Sequence, residues 1–244
     1  MRFFLLLILI ASFQSAPAHA GYQDGWDALK RQNWREALNQ WEPLAAAGDA
    51  RALYALGWLY HTSGPPLRDY AKAKRYYEDA ANRRHVKATL ALGLLHQDGL
   101  GVRPDTIKAL DYMVRAEQFA EAATGAGDKD VEYAIAQIYV KGQGVPRDYG
   151  LALEWHEKAA RHNHPASQYF LGTVHETGWG VEVDRPLAYY WYSLANRHSP
   201  STLSSFTPEA DAKAALAKLE SAMSEIEIAR ARKMLQAKGL TPRR

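Results

Sequence analysis

The sequence predicts an all-α protein built from antiparallel helix pairs repeated along the chain. Three observations carry that expectation. First, the stretch GQGVPRDYGLALEWHEKAA (142–160) recurs as GLGVRPDTIKALDYMVRA from Gly99, as GWGVEVDRPLAYYWYSLA from Gly178 and, more loosely, as GPPLRDYAKAKRYYEDAA from Gly64. Second, its aspartates, Asp69, Asp105, Asp148 and Asp184, are spaced 36, 43 and 36 residues apart. Three further columns keep step with them: Ala73, Ala109, Ala152 and Ala188; Tyr76, Tyr112, Trp155 and Trp191; Ala80, Ala116, Ala159 and Ala195. Third, a block ahead of each glycine loop aligns at the same spacing: ALGWLY from Ala55, ALGLLH from Ala91, AIAQIY from Ala134 and FLGTVH from Phe170. Periods of this length mark stacked supersecondary units that bury their apolar faces against one another.

The first residues stand apart from the repeats. Arg2, the apolar run Phe3–Phe13 and Ala18-His19-Ala20 have the order of a secretory signal peptide, with processing expected before Gly21. The apolar run is shorter than the roughly 20 residues a spanning helix needs, so no integral membrane segment is expected after the leader is removed. A partial unit follows, with Asn33, Ala37 and Trp41 lying 36 residues before Asp69, Ala73 and Tyr77. The expected organisation is a leader over 1–20, a tetratricopeptide-like helix pair over 21–47, and four repeats over about 48–84, 85–127, 128–163 and 164–198. Capping helices and a basic tail ending in Arg243 and Arg244 occupy 199–244.

Within each repeat the first helix shows apolar residues at helical spacing, as in Leu56, Leu59 and Tyr60. Gly57 inside it costs about 1 kcal/mol against alanine, and close approach of a neighbouring helix is the expected compensation. The repeated aspartate is a favoured N-cap for the second helix. The alanine columns suit tight packing, and the aromatic column is expected to fill the gap towards the next repeat. Gly48, Arg84, Gly127 and Asn163 share the offset of a left-handed cap after that helix, Arg84 being the departure. The seven extra residues of the middle interval fall in AEQFAEAATGAGDKD (116–130) and should extend a helix or its following loop. Beyond the period, Thr207-Pro208-Glu209 reads as a helix start and Ser224-Glu225-Ile226-Glu227 as a capping box, with Gly239 and Pro242 closing the last helix.

These columns, A-x-x-L-G-x-x-Y, G-x-G-V, D, then A-x-x-W/Y-x-x-x-A, resemble the Sel1-like repeat, a longer-looped relative of the tetratricopeptide repeat. The resemblance covers about Ala52 to Ala195 in four copies. The first copy departs from it with Gly64-Pro65-Pro66 in place of G-x-G-V. The resemblance implies an α-solenoid of antiparallel helix pairs that serves mainly in protein–protein interaction.

Little in the chain suggests chemistry. A phosphate loop needs its glycines after a strand. Gly142 and Gly144 follow a helical segment, recur at repeat spacing and face the Asp148 carboxylate, so they read as turns, with Val145 anchoring the loop. His96 and His175 share a packing column with Tyr60 and Tyr139. His85 and His164 lie just past the second helix, where a cation suits the helix dipole. His162 and His164 could offer two metal ligands, but no third is fixed by spacing, and no metal or other cofactor is expected. His156-Glu157 lacks the second histidine of a zincin. No G-x-S-x-G, S-x-x-K or cysteine is present, so the serine–lysine chemistry associated with β-lactam hydrolysis among some cysteine-rich relatives has no basis here. Glu154 and Glu157 read as a solvated helix face. No catalytic residue is assigned. The formal charge is +3, one less after loss of Arg2, too small and too dispersed to argue for nucleic acid.

The candidate binding residues are aromatic. Trp155 and Trp191 read as core. Trp179 lies between loop glycines where sister loops carry Gln143 and Leu100, and it is a candidate binding anchor because interface hot spots are enriched in Trp and Tyr. Trp58 and His61 border the first repeat's loop. The expectation is a non-catalytic scaffold in the periplasm, holding envelope proteins against the solenoid surface, with full secretion and action on a host protein as another use of the same architecture. The alternative is a module that binds cell-wall glycan or peptide, with weak hydrolytic activity, stacking sugar rings on Trp179, Tyr189 and Tyr190.

Overall fold

The computed structural model describes residues 18–142 and 144–240, and every regular element among them is helical. The expected leader lies outside the described residues apart from Ala18–Ala20, which open the first helix; Gln143, Pro242, Arg243 and Arg244 also lie outside them. The chain divides into two compact units, one ending at Ala80 and one beginning at Ala81.

The first unit contains α1 (Ala18–Lys30), α2 (Trp34–Ala46), α3 (Ala50–Thr62) and all but the last residue of α4 (Tyr70–Ala81). Asn33 caps α2 by accepting from the Glu36 amide, and Asp49 caps α3 through the Arg51 amide. Its core gathers Ala28, Ala37, Trp41, Ala52, Leu56 and Leu59, and the Trp41 indole N–H donates to the Tyr22 carbonyl at 3.0 Å. Gly57 meets the expected compensation. A Cβ there would come within 2.6 Å of the Tyr77 ring, so the glycine lets α4 approach α3.

The second unit stacks α5 (Val86–Asp98), α6 (Thr106–Thr124), α7 (Lys129–Lys141), α8 (Tyr149–Arg161), α9 (Pro165–Thr177) and α10 (Arg185–Ala195). It closes with α11 (Pro200–Ser204), α12 (Ala212–Ser221) and α13 (Glu225–Ala237). Asp105, Asp148 and Asp184 each accept a backbone N–H at the start of α6, α8 and α10. Gly99, Gly142 and Gly178 are left-handed C-caps of α5, α7 and α9, each donating its N–H to a carbonyl four residues back. The loop glycines are therefore helix ends, and Val145 packs partly buried against the core beside them.

Three expectations are corrected. The most buried large column is Trp41, Tyr77, Met113, His156 and Tyr192. Tyr76, Tyr112, Trp155 and Trp191, one residue earlier, are only half-buried. One residue is about 100° of rotation on a helix, enough to move a ring from core to flank. Gly127 is not a left-handed cap, because the insertion prolongs α6 to Thr124 and its left-handed cap is Gly125. Arg84, by contrast, does adopt the left-handed conformation, at φ 60°. Thr207-Pro208-Glu209 does not begin a helix: Asp211 caps α12 instead, accepting from the Ala214 amide at 2.9 Å. The capping box at Ser224 and Glu227 forms in full.

Candidate interaction surface

Trp179 is presented by two left-handed glycines, Gly178 at φ 73° and Gly180 at φ 75°. A non-glycine residue at either would strain the backbone, so the loop holds the indole by geometry. Its ring meets Tyr149, the first residue of α8, edge to face at 4.5 Å, and Phe170 of α9 at 5.9 Å. Trp179 stays 43% exposed and Tyr149 42%. Arg147 donates to the Tyr149 hydroxyl at 3.0 Å and lies over its ring at 5.7 Å. Two consecutive glycine loops thus build one aromatic ledge with a guanidinium at its edge. Tyr149 escaped sequence reasoning because its pairing with Trp179 crosses the repeat boundary, and Phe170 because it stands in the packing block ahead of the loop.

Tyr189 and Tyr190 do not join that ledge. They are 5% and 9% exposed and pack with Leu216, Leu219, Met223, Ala231 and Leu235, so an open sugar-stacking face with Trp179 is not formed. The cause is the pair α12 and α13, which cover α10 and are tied to it by Arg230 with Asp184 at 3.1 Å and Arg185 with Glu227 at 3.7 Å. In the first unit, Trp58 is half-buried against Trp26, with ring centroids 5.2 Å apart. His61 lies with Nδ1 3.3 Å from the Tyr77 hydroxyl and edge-on to Tyr70. Both contribute to packing among their neighbours.

The histidines resolve into structural roles. His85 and His164 cap α5 and α9, each Nδ1 accepting a backbone N–H at 3.2 Å; Asp49 and Asp128 do the same work in the alternate repeats. The expected cation at His164 is overturned, because burial first, then Lys129 and His198, lower its pKa to about 3. His156 is also buried and lowered to about 3, again by burial first and then by His164. Their contacts fix the tautomers. Ser167 sends its amide and its hydroxyl to His164 Nδ1, the latter at 3.2 Å, and accepts from His156 Nδ1–H at 3.0 Å. His156 Nε2 then faces Gln137 at 3.5 Å. This serine–histidine chain is closed to solvent and serves packing. His162 instead contacts Glu132, its Nδ1 lying 2.8 Å from the carboxylate. Among the described residues, no three His, Asp or Glu side chains are placed to share a metal ion. Among the described residues, no helix is long and apolar enough to cross a membrane.

The Sel1 repeat family profile matches residues 50–85, 86–118, 130–164 and 165–199, more than half of the chain. The chain belongs to the Sel1 repeat family. Sel1-repeat proteins generally mediate protein–protein interaction and are typically non-enzymatic scaffolds. Among curated proteins, it is 33% identical over 128 residues to the Sel1-repeat-containing protein YjcO of Escherichia coli strain K12, covering 52% of this chain and 51% of that one. It is 29% identical over 119 residues to chitin synthase regulatory factor 3 of Schizosaccharomyces pombe, covering 48% of this chain and 12% of that one. The chain thus spans about half or less of the length of these relatives. Among solved structures, a Sel1 repeat protein from Oxalobacter formigenes superposes with a TM-score of 0.68 at 23% identity, over 89% of this chain and 86% of that one.

Proposed function

We propose that this protein is an exported, non-catalytic scaffold of the bacterial cell envelope that binds a protein partner through the Trp179–Tyr149 ledge. The observation that carries the reading is the exposed indole held between two left-handed glycines and braced by Tyr149 and Phe170. Rigid, half-exposed aromatics supply contact area at low entropic cost, and Trp and Tyr are enriched among the few residues that dominate interfaces. The partner is an envelope protein, and the mechanism is shape and side-chain complementarity with no chemical step. Periplasmic residence follows from the leader pattern of Arg2, Phe3–Phe13 and Ala18-His19-Ala20.

The test is affinity purification of the processed protein from cross-linked envelopes, with Trp179→Ala run in parallel. A discrete protein retained by the wild type and lost from the variant supports the reading. Retention of cell-wall glycan alone, or equal retention by both forms, contradicts it.

A further inference from the structure

Beside the seven-residue insertion that breaks the repeat period, two carboxyl groups are buried against one another. Glu117 of α6 and Glu132 of α7 are buried, at 4% and 1% exposure. Their carboxyl groups converge over Gly127, where a Cβ would overlap both. One oxygen of Glu117 accepts the Asp128 amide at 3.1 Å. Its other oxygen, Oε1, is buried without a donor and faces Glu132. Glu132 in turn receives His162 Nδ1–H at 2.8 and 2.9 Å.

The next repeat gives the neutral version of the same arrangement. There Ala160 stands at the position of Glu117, Asn163 at that of Gly127, Gln168 at that of Glu132 and His198 at that of His162. Gln168 donates to the Ala160 carbonyl and to Asn163, both at 3.1 Å, and pairs with His198 at 3.1 Å. An amide satisfies that niche with no proton in play. Two carboxylates cannot do so, since like charges in low dielectric repel and each lacks a donor for the other.

We infer that Glu117 and Glu132 share one proton, and that this proton fastens the Gly125–Asp128 loop as a pH-sensitive latch between α6 and α7. With the proton in place, Glu117 is a carboxylic acid whose O–H donates to the Glu132 carboxylate. Without it, two buried charges face one another across Gly127, and the loop must open to hydrate them. Among the described residues, the charged groups around the pair offer Glu117 no cation of its own, and His162 is engaged by Glu132. On α6, Glu121 adds a further negative charge. In the loop, the Asp128 carboxylate is engaged with the Asp130 and Val131 amides. On α7, burial and then the neighbouring Asp128 push the Asp130 carboxyl up, with Lys129 and Lys87 of α5 opposing them only in part. On α8, Lys158 lies over the Trp155 ring and Arg161 pairs with Glu157; just past it, His162 contacts Glu132. A surface hollow lined by Gly125, Gly127, Lys158, Arg161 and His162 lies against the latch, ready to widen when the loop lifts. Burial, with Glu132 and Glu121 adding to it, raises the Glu117 pKa to about 7.

The sign follows from linkage. The closed loop binds the proton more tightly than the open one, so opening is least at low pH and grows as pH rises towards the raised value. Hydrogen exchange of the 125–131 amides, corrected for intrinsic rate, measures that opening in the purified protein. The expected opening constant rises about tenfold per pH unit between about pH 5 and 7 and levels off above. Glu117→Gln, an amide donor in the same shape, should hold the loop closed with no such rise. A flat wild-type profile, or an unchanged slope in Glu117→Gln, overturns the inference. Should the variant fail to fold, carbon-13 titration of the Glu117 carboxyl in the wild type decides: a midpoint near neutrality supports the latch, and one in the ordinary carboxylate range refutes it.

Discussion

Trp179 and Tyr149 meet edge to face at 4.5 Å although they belong to consecutive repeats, one in a glycine loop and the other at the start of α8, and each leaves more than two-fifths of its surface in solvent. Such a pair adds about 0.5–1.5 kcal/mol beyond area burial, a small share of a domain's stability. Trp179→Ala should therefore lower the thermal midpoint only slightly and leave the circular dichroism spectrum of the helices intact. A collapse of the fold would mean that the indole is a core residue, and any binding defect of the variant could not then be assigned to an interface.

Gly172 makes the opposite prediction. A Cβ there would come within 2.5 Å of the Tyr192 ring, and that ring is held by its hydroxyl, which donates to Glu176 at 2.8 Å and lies 3.0 Å from the Thr173 hydroxyl. Alanine would gain about 1 kcal/mol of helix propensity, but overpacking of a well-packed core costs about 1–3 kcal/mol. Denaturant unfolding of Gly172→Ala should show a net loss, with the slope of the transition unchanged.

Acid should unfold the protein partly through two histidines. His156 and His164 are held neutral, with pKa values lowered to about 3, while in the unfolded chain they titrate near 6.5. Their contribution is fully present above the unfolded value and is lost as pH falls towards 3. His164→Asn keeps a side-chain acceptor for the α9 cap without a titrating group. Equilibrium unfolding across about pH 4–6 should then show a slope reduced by about one proton. An unchanged slope would mean that His164 is not buried neutral.

Tyr190 separates core from surface in the last repeat. It is packed among Leu216, Leu219 and Leu235, so Tyr190→Ala should destabilise by about 3–5 kcal/mol, as large aromatic truncations do. Intrinsic fluorescence during chemical unfolding would report the shift. A nearly neutral effect would reopen the aromatic groove that the capping helices close.

The repeat architecture was legible because each unit writes the same columns: Asp N-caps, small residues where helices touch, and glycines at helix ends. The misreadings have physical causes. Tyr189 and Tyr190 sit in a run of four aromatics, Tyr189–Tyr192, where no polar alternation separates an outer from an inner face. What buries them is α12 and α13, which lie outside the period. The most buried column, which includes Trp41 and Tyr77, lies one residue beyond the aromatic column of the motif, and the alignment of Trp41 with Tyr77 in the half repeat is its trace in the sequence. Thr207 lost to Asp211 because a carboxylate cap was available four residues later. The Glu117–Glu132 pair left only one trace, an insertion whose glycine was read as a cap when its missing Cβ makes room for two carboxyl groups.

The most direct test of the scaffold reading is the affinity of the captured partner for wild type, Trp179→Ala and Trp34→Ala, measured by calorimetry. Trp34 is comparably exposed, at 41%, and lies outside the ledge. A loss of at least about 30-fold at Trp179, the scale of an interface hot spot, with no change at Trp34, is the predicted result. Equal affinity for all three proteins would contradict the account and move the binding surface elsewhere.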